Sequence, residues 1–239
     1  MTSLPNTRPQ RRLGLLIDLD VCVGCHACAV ACKEWNSFGP IGPLNDVDPY
    51  GKDPRGVWLC RVHTFEAGEG ASGRTVHFPR SCLHCENAQC VTVCPTGASY
   101  KRDSDGIVLV DVDKCIGCKL CSWACPYGAR EFDEVEGVIK KCTLCVDRIY
   151  DRTLPESERA PMCVRACPTQ ARHFGDFADP NSPVSRLAAE RGSFAPLPEL
   201  GYQPTCLCLQ PRDRRDSKLQ PLAAATGGLD DRLEGFHRP

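Results

Sequence analysis

Sixteen of the chain's nineteen cysteines fall into four spaced groups, and that spacing constrains the fold more than any other feature of the 239 residues. The first group is Cys22-x2-Cys25-x2-Cys28-x3-Cys32. The second is Cys82-x2-Cys85-x4-Cys90-x3-Cys94, followed by Pro95. The third is Cys115-x2-Cys118-x2-Cys121-x3-Cys125, followed by Pro126. The fourth opens with Cys142-x2-Cys145 and, after a 17-residue insertion, closes with Cys163-x3-Cys167 and Pro168.

A [4Fe–4S] cube needs one thiolate on each of its four irons, at the corners of a tetrahedron. Three cysteines in C-x2-C-x2-C wrap one face of the cube, and the fourth ligand comes from elsewhere. In two-cluster ferredoxins the last cysteine of each such run ligates the other cluster. After x3 it stands about one helical turn past the third ligand, and the following proline helps end that turn. Motifs two and three are adjacent and form one module, joined by a hairpin over Tyr100–Val110 with Ser104-Asp105-Gly106 in the turn. Motifs one and four are left as a second module, interrupted by the first. The crossed rule then expects four sets: Cys22, Cys25, Cys28 with Cys167; Cys142, Cys145, Cys163 with Cys32; Cys82, Cys85, Cys90 with Cys125; and Cys115, Cys118, Cys121 with Cys94.

Other uses of cysteine fit less well. Zinc ribbons use paired C-x2-C units, but zinc needs neither a third cysteine two residues on nor a fourth followed by proline. A disulfide scaffold belongs to small secreted domains, and an odd cysteine total leaves one thiol over. Cys22-x2-Cys25-His26 matches the haem-attachment pattern, but it lies inside a longer cluster motif. His26 and His84 sit in motifs that already have four cysteines, so a Rieske centre is not expected. Cys60 reads as a buried free thiol, and Cys206-x-Cys208 as an interface or incidental pair. Trp35, Trp123 and Tyr127, beside cluster ligands, are expected to exclude water. Lys119, Lys140 and Lys141 are either solvated surface charges or tuners of potential, since positive charge favours the reduced, more negative cube.

A net charge of -1 and a pI near 6.6 argue against a nucleic-acid binder. No apolar run approaches the roughly 20 residues of a membrane span. Leu13–Ile17 is too short, and Arg11-Arg12 lacks the apolar stretch that a twin-arginine signal requires. The expected fold is α+β: two pseudo-symmetric bacterial 2[4Fe–4S] ferredoxin-like modules, one nested in the other. Residues 13–35 with 140–178 form the outer module and 82–139 the inner one. Residues 36–81 are a loop and strand insertion, with strand-like stretches at Val57–Phe65 and Arg74–Phe78. Residues 179–209 hold a helix, begun by Asn181-Ser182-Pro183 and ended at Gly192, and a partner-contact segment. Residues 210–239 read as a flexible or partner-wrapping tail. Neither a phosphate-binding glycine loop nor a catalytic triad occurs, and full cysteine ligation leaves no iron open, so no catalytic residue is expected. The chain reads as an electron relay.

These motifs resemble the four-cluster iron–sulfur subunits of the dimethyl sulfoxide reductase superfamily of molybdenum enzymes. The resemblance runs from about Leu13 to Arg212, including Cys94-Pro95-Thr96-Gly97-Ala98, Cys115-Ile116-Gly117-Cys118-Lys119 and Lys141-Cys142-Thr143-Leu144-Cys145. Some relatives carry tryptophan for one ligand of the third motif and hold a [3Fe–4S] cluster; here all four cysteines are present, which implies four cubes. Ser81-Cys82-Leu83-His84-Cys85-Glu86 and Ala171-Arg172-His173-Phe174-Gly175-Asp176 look like the iron–sulfur subunit of membrane-bound, cytoplasm-facing sulfite dehydrogenase. Glu199-Leu200-Gly201-Tyr202 adds to that likeness.

The resemblance implies a large molybdopterin catalytic subunit and an integral membrane anchor that reduces quinone, with this chain peripheral at the cytoplasmic face of the inner membrane. Co-export to the periplasm on a signal-bearing partner is the alternative location. Dimethyl sulfoxide, polysulfide and tetrathionate reductases use similar relays with the current reversed. A relay in a hydrogenase or formate dehydrogenase is a further alternative, though formate dehydrogenase relays often carry their own membrane helix.

Overall fold

The computed structural model describes residues 3–37, 56–68 and 73–212. The chain forms β1 (Leu13–Asp18), α1 (Ala27–Asn36) and a hairpin of β2 (Cys60–Ala67) and β3 (Arg74–Ser81). The middle third alternates α2 (Gln89–Thr92), β4 (Ser99–Lys101), β5 (Val108–Val110), α3 (Leu120–Trp123), β6 (Glu131–Asp133) and β7 (Val138–Lys140). Then come α4 (Val146–Ile149), α5 (Met162–Arg165), β8 (Arg172–Asp176), α6 (Pro183–Arg191), β9 (Ser193–Phe194) and β10 (Leu207–Leu209). The result is a mixed α/β fold of short helices and small sheets.

The prolines decide the helix lengths. In motifs two, three and four the helices that carry the third cysteine, α2, α3 and α5, are four residues each, and Pro95, Pro126 or Pro168 follows the fourth cysteine. Motif one has Lys33 where the others have proline, and α1 runs ten residues to Asn36. The longer helix packs against α5, bringing motif one to motif four, while α2 packs against α3.

β1 is buried at all six positions, which identifies a strand covered on both faces. It is central in a four-stranded sheet of order β8-β1-β10-β9, antiparallel to β8 and parallel to β10. Leu13, Leu15 and Ile17 face the large core around the cysteine loops, whereas Leu16 faces Val184, Ala188 and Leu209 under α6. Gly175 on β8 lets α6 approach, since a Cβ there would lie 2.7 Å from Val184 Cγ2. Ser182 caps α6 by accepting from the Ser185 N–H, and Gly192 ends it at φ 66°, as the sequence predicts.

The hairpin predicted around Ser104-Asp105-Gly106 is present, with Ser99 opposite Val110 and Lys101 opposite Val108. The strand predicted from Val57 begins instead at Cys60. Side chains take the backbone groups of 57 and 58: Lys33 Nζ and Ser37 Oγ donate to the Val57 carbonyl, and Glu131 accepts from the Trp58 N–H. Its partner strand β3 already ends at Ser81, so residues 57–59 face no ladder. Most of the 210–239 tail, and residues 38–55 and 69–72 of the insertion, lie outside the described residues.

Candidate metal centres

Each of the four loops closes on a backbone that L-residues seldom adopt. The residue before the second cysteine has positive φ in every motif: Gly24 (66°), His84 (48°), Gly117 (66°) and Leu144 (55°). Such a turn aims successive cysteines toward one point, and for a residue like Leu144 it costs about 1–2 kcal/mol. At Gly117 the demand is also steric, because a Cβ would meet the Gly137 carbonyl oxygen at 2.3 Å.

All nineteen cysteines are free thiols, and fifteen of the sixteen motif cysteines gather in four groups, Cys25 standing exposed beside the last. Cys115, Cys118 and Cys121 line one cavity with Cys94, floored by Ile139 and walled by Arg130. Cys82, Cys85 and Cys90 line a second with Cys125, closed by Val108, Tyr127 and Tyr202. In the third group burial pushes the Cys32 thiol well up, and the neighbouring sulfurs of Cys142, Cys163 and Cys145 push it further. In the fourth, burial raises Cys22, which lies near Cys28 and Cys167. In each group one sulfur comes from a different motif than the rest.

The groups form a row, with Cys28 of the fourth group near Cys163 of the third. Burial, then Cys163, pushes the Cys142 thiol up to about 12, and Cys82 of the neighbouring group adds to the shift. Cys121 lies near both Cys94 of its own group and Cys90 of the next. The end groups reach the surface: Cys25 and Cys118 are exposed, whereas Cys85 and Cys145, their counterparts in motifs two and four, are buried.

The donor chemistry fits cubane clusters. Backbone N–H groups point at sulfur, from Ser99 to Cys94 (3.3 Å), Ala171 to Cys167 (3.2 Å), Ile139 to Cys115 (3.4 Å) and Leu144 to Cys142 (3.4 Å). Such bonds stabilise thiolate and sulfide charge. His84 accepts from the Val108 N–H at Nδ1, which puts its proton on Nε2, a buried atom with no partner among the described residues. A buried donor of this kind needs an acceptor, which the sulfide of a bound cluster would supply, and the Nε and Nη1 atoms of Arg130 and Arg172 are in the same position. Among the described residues no three Cys, His, Asp or Glu side chains converge on one point as a single zinc ion would require. A cube spreads its four thiolates more widely than one ion does.

Three readings of the sequence change. Trp123 is 84% exposed and excludes no water, although Tyr127 is buried with its hydroxyl donating to the Pro196 carbonyl. Lys140 is engaged with Asp133 and Glu136 on the surface, and Lys119 lies over the Phe132 ring. Only Lys141 of the three is buried, its Nζ donating to the Cys142 carbonyl at 2.6 Å. Cys206 and Cys208 are both 1% exposed and lie in the chain's own core, which leaves the incidental pairing and not the interface. Cys60 is buried as predicted, and accepts from Arg172 Nη2 at 3.0 Å. The sequence reading missed Arg130 and Arg172. Their signal was a repeated hexapeptide, Cys125-Pro-Tyr-Gly-Ala-Arg130 and Cys167-Pro-Thr-Gln-Ala-Arg172.

Comparison with known proteins agrees with this chemistry. Residues 21–98 and 74–177 each match a family described as a 4Fe-4S dicluster domain. The chain is 61% identical to a sulfite dehydrogenase subunit of Allochromatium vinosum, over 81% of this chain and 80% of that one. It is 33% identical to an anaerobic dimethyl sulfoxide reductase chain of Escherichia coli, over 90% and 95% of the two chains. A polysulfide reductase chain of Wolinella succinogenes is 38% identical over 81% and 92%.

Proposed function

Because the protein belongs to the four-cluster iron–sulfur subunits of the dimethyl sulfoxide reductase superfamily, and is thus an electron-transfer subunit of a molybdoenzyme complex, we propose that it serves a quinone-linked sulfite dehydrogenase. A molybdopterin partner converts sulfite and water to sulfate, two protons and two electrons. The electrons leave through this chain for a membrane anchor, where quinone takes up two electrons and two protons. Identity with a sulfite dehydrogenase subunit across four-fifths of both chains supports the substrate.

The row of four thiol groups with exposed ends is the observation that carries the relay. Four [4Fe–4S] clusters supply one-electron sites when bound. Cys22, Cys25, Cys28 and Cys167 hold the first; Cys142, Cys145, Cys163 and Cys32 the second; Cys82, Cys85, Cys90 and Cys125 the third; Cys115, Cys118, Cys121 and Cys94 the fourth. The grouping of sulfurs in two cavities supports the third and fourth of these sets. Pairing of β1 with β8, and of α1 with α5, supports an outer module of residues 13–35 and 140–178 that nests the inner module of 82–139. At the two ends Val23 and Ile116 stand exposed beside Cys25 and Cys118, apolar surfaces for the two partners. Among the described residues no helix is long and apolar enough to cross a membrane. The anchor is a separate subunit, and this chain sits at its cytoplasmic side.

The test is anaerobic affinity purification of this chain from detergent-solubilised native membranes, followed by assay of sulfite-dependent reduction of a quinone analogue. Activity with a molybdenum subunit and a small membrane protein in the eluate is the expected result. The same partners with reduced-quinone-dependent reduction of dimethyl sulfoxide or polysulfide, and no sulfite activity, would reverse the current and refute the substrate.

A further inference from the structure

Ligation leaves two buried arginines unexplained. Arg130 and Arg172 each stand five residues after the last cysteine of a module, in the repeated Cys-Pro-x-x-Ala-Arg hexapeptide. They are 3% and 2% exposed, and among the described residues neither is paired with a carboxylate. A guanidinium is always charged, so burying it without an anion is unfavourable. What these two touch is sulfur. Arg130 Nη2 donates to Cys90 Sγ at 3.0 Å and to Ser99 Oγ at 2.7 Å. Arg172 Nη2 donates to Cys60 Sγ at 3.0 Å, and Cys60 in turn hydrogen-bonds Cys28. Nε and Nη1 of both side chains have no acceptor among the described residues.

Each arginine lies between the two thiol groups of its own module. Arg130 is within reach of Cys90 and Cys82 on one side and Cys121 on the other. Arg172 is within reach of Cys163 on one side and Cys28 on the other.

We infer that Arg130 and Arg172 are potential-setting positioning residues, one per module, each turning its acceptor-less Nε and Nη1 donors toward the sulfur of both clusters in that module. The inference rests on the ligand sets proposed above and adds to them what fixes the energetics of the relay. A fixed positive charge and N–H···S bonds favour the reduced, more negative cube and raise its potential. Standing between two cubes, one guanidinium raises both. It also offsets the repulsion between two electrons held in one module, the number that one sulfite delivers. The modules differ in the second contact of the arginine, a serine hydroxyl in the inner one and the Cys60 thiol in the outer one.

The test is a redox titration of the purified complex, followed by electron paramagnetic resonance, for wild type, Arg130→Met and Arg172→Met. Arg130→Met is expected to lower both inner midpoints, with a change of about tenfold in the reduced-to-oxidised ratio at fixed potential, or about 59 mV for one electron. The outer midpoints stay in place. Arg172→Met does the reverse, and lysine at either position recovers part of the shift by keeping charge without the fork. Unmoved midpoints in fully iron-loaded variants, or an equal shift of all four clusters, would overturn the inference. Should the variants lose clusters, wild-type complex labelled with 15N-arginine decides the matter. Hyperfine coupling from arginine nitrogen is expected in both modules, and its absence contradicts the inference. Failure of the ligand sets would show separately, as fewer than four cubane signals in the wild type.

Discussion

The inner and outer modules proposed above present the same kind of cysteine site on different scaffolds. The inner one is built from neighbours in sequence: motifs two and three, two hairpins of three-residue strands and two four-residue helices. The outer one is assembled at long range, with β1 against β8 and β10, strands from distant parts of the chain. Around it pack α6 and the three extra cysteines, the cysteines all buried. The comparison teaches that cluster geometry is set locally, by the loop turn and the proline, while the burial that separates the clusters from water is set by whatever the rest of the chain supplies. Each module leaves one end cysteine exposed, Cys118 in the inner and Cys25 in the outer, and the inner one exposes Trp123 as well, whereas the joint at Cys142 is covered.

The largest effect should come from breaking the row at its middle. Cys142→Ser removes a buried ligand at the junction of the modules. We expect loss of that cluster and of coupled electron transfer, with instability of the outer module. Cys118→Ser removes an exposed ligand at an end and is expected to change one cluster's signal while the other three stay intact. Iron content and electron paramagnetic resonance of both variants check the contrast, and equal damage from both would erase it.

Truncations in the scaffold come next. Leu15→Ala, at the centre of the sheet and fully buried, is expected to cost about 2–5 kcal/mol. Leu109→Ala in the inner hairpin, 8% exposed, falls at the low end of that range. Denaturant unfolding of the loaded protein measures both. Gly117→Ala is expected to lose the fourth cluster, because the methyl would strike the Gly137 carbonyl. Gly137→Ala has open space and pays only for its positive φ, about 1–2 kcal/mol. Ser182→Ala removes the α6 cap at a cost of about 1 kcal/mol, with cluster signals unchanged.

How much of this was legible in the sequence follows the same division. The cysteine spacing carried the chemistry, because ligation imposes a local geometry that survives any scaffold. The Ser104-Asp105-Gly106 hairpin and the Ser182-to-Gly192 helix were readable from turn and cap residues for the same reason. What escaped was non-local. Nothing near Cys206 and Cys208 says that β10 slots beside β1, where the Leu15 N–H donates to Cys206 Sγ at 3.2 Å. The start of β2 was misjudged because Lys33, Ser37 and Glu131, distant in sequence, take the backbone groups of Val57 and Trp58. Trp123 follows its cysteine like a packing residue, yet it is exposed, because no local pattern says what the rest of the chain will cover.

The measurement that bears most directly on the relay is metal and sulfide analysis of the anaerobically purified complex, paired with spectroscopy before and after dithionite. Four cubes predict about sixteen irons and about sixteen acid-labile sulfides for each copy of this chain, four of each per cluster. They also predict broad visible absorbance that bleaches on reduction. A colourless chain carrying zinc in place of iron would contradict the account at its foundation.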